Sequence, residues 1–168
     1  GQSLGVPVHC LLGGAFRDSI PAYATGCYYR GEDYARLGQS PRHVDHTASL
    51  PALAVEARSY VDAGFAMLQI KVGVVAGDAD LERTAVIREA IGPQIKLMVD
   101  ANHAYNAYTA IRLGRGLEQY DVLWFEEPVP PEDYEGYRTV RRALDVAIAG
   151  GECEFTRYGF RELLAGGC

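Results

Sequence analysis

Long apolar runs are absent from this sequence. No stretch of about eighteen apolar residues exists, so no transmembrane helix is expected. Positive charge is in deficit. Lys and Arg number 16 against 22 Asp and Glu, and the net charge of −6 removes the electrostatic footprint of a nucleic-acid binder. Cysteine is sparse. The four (Cys10, Cys27, Cys153, Cys168) show no CxxC spacing, which argues against a disulfide framework and for reduced thiols in a cytoplasmic protein. No basic-plus-apolar leader opens the chain, and no GxGxxG follows the first predicted strand, which weakens a dinucleotide-binding reading. What is present is a globular composition: 168 residues, 48% hydrophobic and 23% charged, enough for one domain with a real core.

The chain alternates. Residues 1 to 14 read as the last part of a helix that stops at Gly13-Gly14. Strands are expected at 20–26, 66–73, 95–100, 122–126 and 146–152. Helices are expected between and after them. One spans 50–63 with Ser49 as cap, and one runs from Asp78 to about Ile91 with acids suiting its dipole. A third is capped by Asn106, a fourth runs from Glu132 to Leu144, and a fifth from Arg157 to Ala165. Alternating strands and helices imply βαβ units on a parallel sheet. The strands are nearly all apolar, as strands covered on both faces must be. The unit recurs about every 26 to 30 residues, close to the ~31 of a (β/α)8 barrel. The fold class is therefore α/β, a partial TIM-type barrel of about five βα units. Both ends look cut, so a piece of a longer chain is expected. Residues 30 to 48 form a long polar insert. Its His43, Asp45 and His46 read as a mobile loop near the barrel mouth rather than a zinc site.

Acids sit at the strand tips. KLMVDANHAY ends an apolar run in Asp100, VLWFEEP in Glu126, and VAIAGGECE in Glu152. Asp100 and Glu126 are 26 residues apart, as are Glu126 and Glu152, so the three share one phase of the repeat. At one barrel mouth three carboxylates repel unless a hard cation neutralises them, and Mg²⁺ takes oxygen ligands. Asp100 taken alone reads first as an N-cap, and the three acids taken together read as a metal site. Glu127, beside Glu126, is the rival inward acid, and the spacing picks Glu126. Lys71 ends its strand with a charge that needs a partner or a task. It is either half of a salt bridge or a general base, and beside a cation its pKa is expected to fall toward neutrality. Asn102 either donates to a substrate oxygen or closes an Asx-turn. His103 reads as a structural hydrogen-bonder. Tyr28 and Tyr29, after the first strand, touch substrate or pack.

At LLGGAFRDSIPAYATG, IKVG, MVDANHAYNAYTAIRLGR, WFEEP and GECEFTRYGFREL the sequence resembles the mandelate racemase/muconate lactonizing enzyme branch of the enolase superfamily. The GECEFTRYGFREL stretch is most similar to acid-sugar dehydratases of the rhamnonate and galactarate kind. A Lys or His base with Mg²⁺ stabilising an ene-diolate is the established chemistry of that superfamily and enters here by resemblance. The resemblance implies Asp100, Glu126 and Glu152 as Mg²⁺ ligands and Lys71 as the base. Lys71 matches the second Lys of a KxK motif whose first position is Gln69 here, a departure that removes one partner of Lys71. Gln69 and Asn102 are expected to face substrate. Residues 1 to 18 would be the remnant of a capping domain and 19 to 168 the barrel. The expected activity is dehydration of an aldonate or aldarate, with this piece alone expected to be inactive or nearly so. A racemase or cycloisomerase of the same family and a non-catalytic partial barrel are the alternatives. The expected partner is a small carboxylate, not nucleic acid or membrane, and the full-length protein is expected to be a homo-oligomer.

Overall fold

A computed structural model describes residues 1–29, 49–74 and 77–167. The expected loop with His43, Asp45 and His46 lies outside them. Five parallel strands form one sheet in sequential order β1-β2-β3-β4-β5: Ala24–Gly26, Met67–Lys71, Lys96–Asp100, Val122–Glu126 and Ala147–Ala149. Helices α2 (Leu50–Asp62), α3 (Gly77–Ile91), α4 (Ala107–Leu117) and α5 (Tyr134–Ala143) connect them, and α6 (Thr156–Ala165) follows β5. Sequential parallel order with helices between is a partial (β/α) barrel, as expected.

Residue alternation explains why these segments settle this way. Leu68 and Ile70 on β2, Leu97 and Val99 on β3, and Phe125 on β4 are fully buried in the main apolar core, with Leu53, Ile87, Leu113 and Val140 from the helices. The intervening residues build the other face in layers. Thr25 pairs in register with Gln69 and Gln69 with Met98. One layer higher, Lys71 pairs with Asp100 and Asp100 with Glu126. The β3–β4 register shifts between Leu97 and Val99, and a bulge of this kind re-aims the side chains that follow it.

Several local expectations need correction. Residues 1 to 14 are a 3-10 turn (Gln2–Leu4) and a single helical turn, α1 (Val8–Leu11), with Leu4, Val8 and Leu12 exposed. The first strand begins at Ala24 rather than residue 20. Ser49 makes no capping hydrogen bond; Pro51, in the first turn, supplies a preset φ instead. Asn106 does cap α4, accepting from the Thr109 N–H at 2.9 Å. Strand β5 stops at Ala149, three residues short of Glu152. No helix among the described residues is long and apolar enough to cross a membrane.

Gly73 makes the mouth possible. Its φ is +98°, and a Cβ there would lie 2.3 Å from Ala104 Cβ and 3.0 Å from the Ala101 carbonyl. Those residues flank Asn102 and His103. Gly73→Ala is expected to cost about 2–4 kcal/mol, combining left-handed backbone and overpacking. Urea unfolding would show it as a lower midpoint at unchanged slope.

Candidate active site

The upper layer converges on Asp100. Its carboxylate is buried (1% exposed) and accepts from Lys71 Nζ, from the Asn102 backbone N–H at 2.9 Å and from Asn102 Nδ2 at 3.3 Å. The Asx-turn at this corner is thus closed by Asp100, with Asn102 as donor. Glu126 Oε2 accepts from Gln69 Nε2 at 2.5 Å and from Trp124 Nε1 at 2.9 Å. Gln69 itself is 4% exposed, and its Oε1 accepts from Thr25 Oγ1 at 3.3 Å. Its amide therefore holds Glu126 to β1 from below. Glu152, exposed, sits in the turn after β5, while Ala149 is the register partner of Glu126.

Charge follows this geometry. Burial pushes the Glu126 carboxyl up. The Trp124 N–H opposes that, and the neighbouring Asp100 and Glu152 charges reinforce it. Burial lowers the Lys71 pKa, but the hydrogen bond and charge of Asp100, with Tyr28 and Glu126, outweigh this and leave it raised. The carboxylates hold Lys71 protonated by themselves.

Two features were not legible as such in the sequence. Asp80, read as a helix-dipole acid, is fully buried and accepts from Tyr29 OH and from Tyr105 OH at 2.6 Å. Arg83 lies over the Tyr29 ring at 4.0 Å and donates to the Cys27 carbonyl at 2.9 Å. This network pins the β1 exit to the β3 exit. It makes Tyr29 a packing residue and leaves Tyr28 half-exposed at the mouth. Burial pushes Asp80 up to about 6 from 3.8, against the two tyrosine hydrogen bonds. A folded pKa above the unfolded one means that the folded state holds the extra proton. The contribution is full below about pH 4 and is lost as pH rises through about 6, about 3 kcal/mol in all. The difference in unfolding free energy between wild type and Asp80→Asn, measured from pH 4 to 7, should carry this slope. A flat difference would contradict it.

The second feature is a group of ligand-type side chains. His103, Glu127 and Cys153 bring ligand atoms within 4.8 Å of one another. His103, read from sequence as a structural hydrogen-bonder, faces Glu127. Its Nδ1 lies 3.1 Å from Glu127 Oε2 but is not aligned as a hydrogen bond. Asn102, His103 and Glu127 all have positive φ (42°, 63° and 42°), so both loops are held in conformations that L-residues rarely adopt. The described cysteines are free thiols, and burial pushes that of Cys27 up to about 12.

Comparison with known proteins places this geometry. The enolase C-terminal domain-like family model matches residues 52–168. D-galactarolactone cycloisomerase of Agrobacterium fabrum is 38% identical over 167 residues, 99% of this chain and 40% of the relative. The 3,6-anhydro-D-galactonate cycloisomerase from Zobellia galactanivorans superposes with a TM-score of 0.83 at 41% identity, over 99% of this chain and 42% of that one. A variant of the L-talarate/galactarate dehydratase from Salmonella typhimurium, liganded with Mg and L-glucarate, gives 0.78 at 32% identity, over 98% and 38%. Dehydratases, cycloisomerases and a racemase all stand among the matches. The chain spans about 40% of the length of the curated relatives it matches first. The layered parallel strands and the family match agree, and the chain belongs to the mandelate racemase/muconate lactonizing enzyme-like family of the enolase superfamily.

Proposed function

We propose that this chain carries part of the active site of an enzyme that removes the α-proton of a sugar acid with the help of a divalent metal. The observation that carries the reading is the row Lys71–Asp100–Glu126, in register across three adjacent strands at their C-terminal ends. Barrel enzymes place their chemistry at that end. Asp100, Glu126 and Glu152 would hold Mg²⁺, with residues 19–168 as barrel and 1–18 as a remnant of a capping domain. The donor set has the chemistry of such a site, although among the described residues these three acids are not a group whose ligand atoms all lie within 4.8 Å of one another. It is all oxygen, and Asp100 and Glu152 both push Glu126 up, so the three charges act on one another. When bound, Mg²⁺ supplies positive charge that stabilises the negative charge developing on the substrate carboxylate and offsets the acids that keep Lys71 protonated.

The residues of the chain do the rest. Gln69 and Trp124 fix Glu126 from one side, while Asn102 orients Asp100 and offers its amide to the mouth. Lys71, as the neutral amine, takes the α-proton into its own lone pair. In this reading Gln69 acts through Glu126 rather than on substrate. Cycloisomerisation is the favoured outcome, because the two proteins above at 38% and 41% identity carry that name. Dehydration is the second reading, supported by the dehydratase matched at 32% identity.

Both share the first step and differ in the leaving group. Incubating the protein with Mg²⁺ and D-galactarolactone or galactarate in deuterated water distinguishes them. Cycloisomerisation keeps the substrate's composition, because its leaving oxygen stays tethered to the product. Dehydration loses the mass of one water. If the full-length protein shows no deuterium uptake at the α-carbon and forms no product from either acid, the proposal is rejected.

A further inference from the structure

We propose that His103 Nδ1, the Glu127 carboxylate and Cys153 Sγ form a second divalent-cation site, one that takes a thiophilic borderline ion of the Zn²⁺ type rather than Mg²⁺.

Burial provides the first argument. Glu127 is 1% exposed, and neither carboxylate oxygen accepts a well-aligned hydrogen bond; its polar neighbours are His103 Nδ1 at 3.1 Å and the Cys153 thiol. His103 Nδ1 is likewise without one. A buried carboxylate short of donors is strongly disfavoured unless a cation compensates it. No Lys or Arg forms an ion pair with it among the described residues; the ion-pair contact it makes is with His103.

Geometry provides the second. On a tetrahedral ion two N/O ligands at about 2.0–2.1 Å lie roughly 3.3 Å apart, and a sulfur at about 2.3 Å lies slightly farther. His103 Nδ1 and Glu127 Oε2 stand 3.1 Å apart, and all three ligand atoms lie within 4.8 Å. The loops are tied independently of any ion. The His103 N–H donates to the Glu127 carbonyl at 2.8 Å, and the Glu127 N–H to the Ala149 carbonyl at 2.9 Å. Closing the group thus needs only a small movement of the Cys153 turn.

Chemistry provides the third. Nitrogen, oxygen and sulfur together suit Zn²⁺ or Co²⁺ and are the wrong set for Mg²⁺ or Ca²⁺. Three protein ligands leave one tetrahedral position for water or a substrate oxygen. Binding releases the thiol proton to solvent, and the thiolate and Glu127 together balance the ion's two charges. The site is distinct in donors from the oxygen set of Asp100, Glu126 and Glu152, although each of its members follows one of those acids by one or three residues.

Co²⁺ is the probe, because a thiolate ligand gives it a near-ultraviolet charge-transfer band that oxygen ligands do not. The test uses the full chain carrying Cys10→Ser and Cys168→Ser, so that Cys153 is the accessible thiol beside buried Cys27. The band is expected on titration, unmoved by excess Mg²⁺ and erased by Zn²⁺. Cys153→Ser should abolish it and weaken Zn²⁺ binding by more than about tenfold, since loss of an outer partner alone costs that much. His103→Gln should weaken it similarly, and far-ultraviolet circular dichroism checks that both variants fold. Glu126→Gln, which disturbs the oxygen set, should leave the band in place. A missing band, a band that survives Cys153→Ser, or one lost with Glu126→Gln would overturn the proposal. None of these results depends on whether the chain enolises a sugar acid.

Discussion

Lys71→Met should lower α-proton exchange of a sugar acid in deuterated water by about a hundred- to ten-thousandfold, the usual contribution of a positioned general base. The argument is positional. Lys71 ends β2 opposite Asp100, and its side chain is only 18% exposed, so solvent cannot replace it easily. Methionine keeps the apolar stem and removes the amine. Asp100 would retain its two Asn102 donors and lose the charged one, costing about 1–3 kcal/mol of stability. Thermal unfolding separates that cost from chemistry. A variant that folds, binds Mg²⁺ and still exchanges at the wild-type rate would remove Lys71 from the mechanism.

Phe125→Ala should cost about 3–5 kcal/mol, the range for deleting a buried aromatic ring. Phe125 is fully buried and lies 6.4 Å from the Tyr105 ring at an interplanar angle of 53°. It points into the helix-side core while its neighbours Trp124 and Glu126 point to the other face. One residue thus anchors the strand that delivers Glu126, and its partner Tyr105 belongs to the Asp80 network. Against a total stability of about 5–15 kcal/mol this is a large fraction. The expected result in urea is a much lower midpoint, with weaker Mg²⁺ binding from the loosened β4. A loss below about 1 kcal/mol would mean that the core refills the cavity.

The alternation of apolar strands and helices was readable because burial on both faces leaves a plain pattern. Lys71, Asp100 and Glu126 were readable because each ends such a run, and the sheet makes them register partners. Glu152 shows what spacing leaves out. Glu152 follows Glu126 by the same twenty-six residues by which Glu126 follows Asp100, yet β5 ends at Ala149 and Gly151, with φ of +109°, lies in the turn that carries Glu152. Equal sequence distance is not equal register once a turn intervenes. Asp80 was hidden for a different reason. An acid in a helix first turn has a sufficient local explanation, and nothing local reveals two tyrosines from other elements closing on it. His103, Glu127 and Cys153 were in view as neighbours of the predicted ligands. Their convergence depends on positive φ at His103 and Glu127, which the residue types do not announce.

The central claim is that Asp100, Glu126 and Glu152 share one divalent ion. Calorimetric titration of Mg²⁺ into the wild-type chain and into Asp100→Asn, Glu126→Gln and Glu152→Gln tests it most directly. The account predicts one saturable site in the wild type, weakened at least about tenfold by each substitution. Isotherms that do not change from wild type to variants would contradict it.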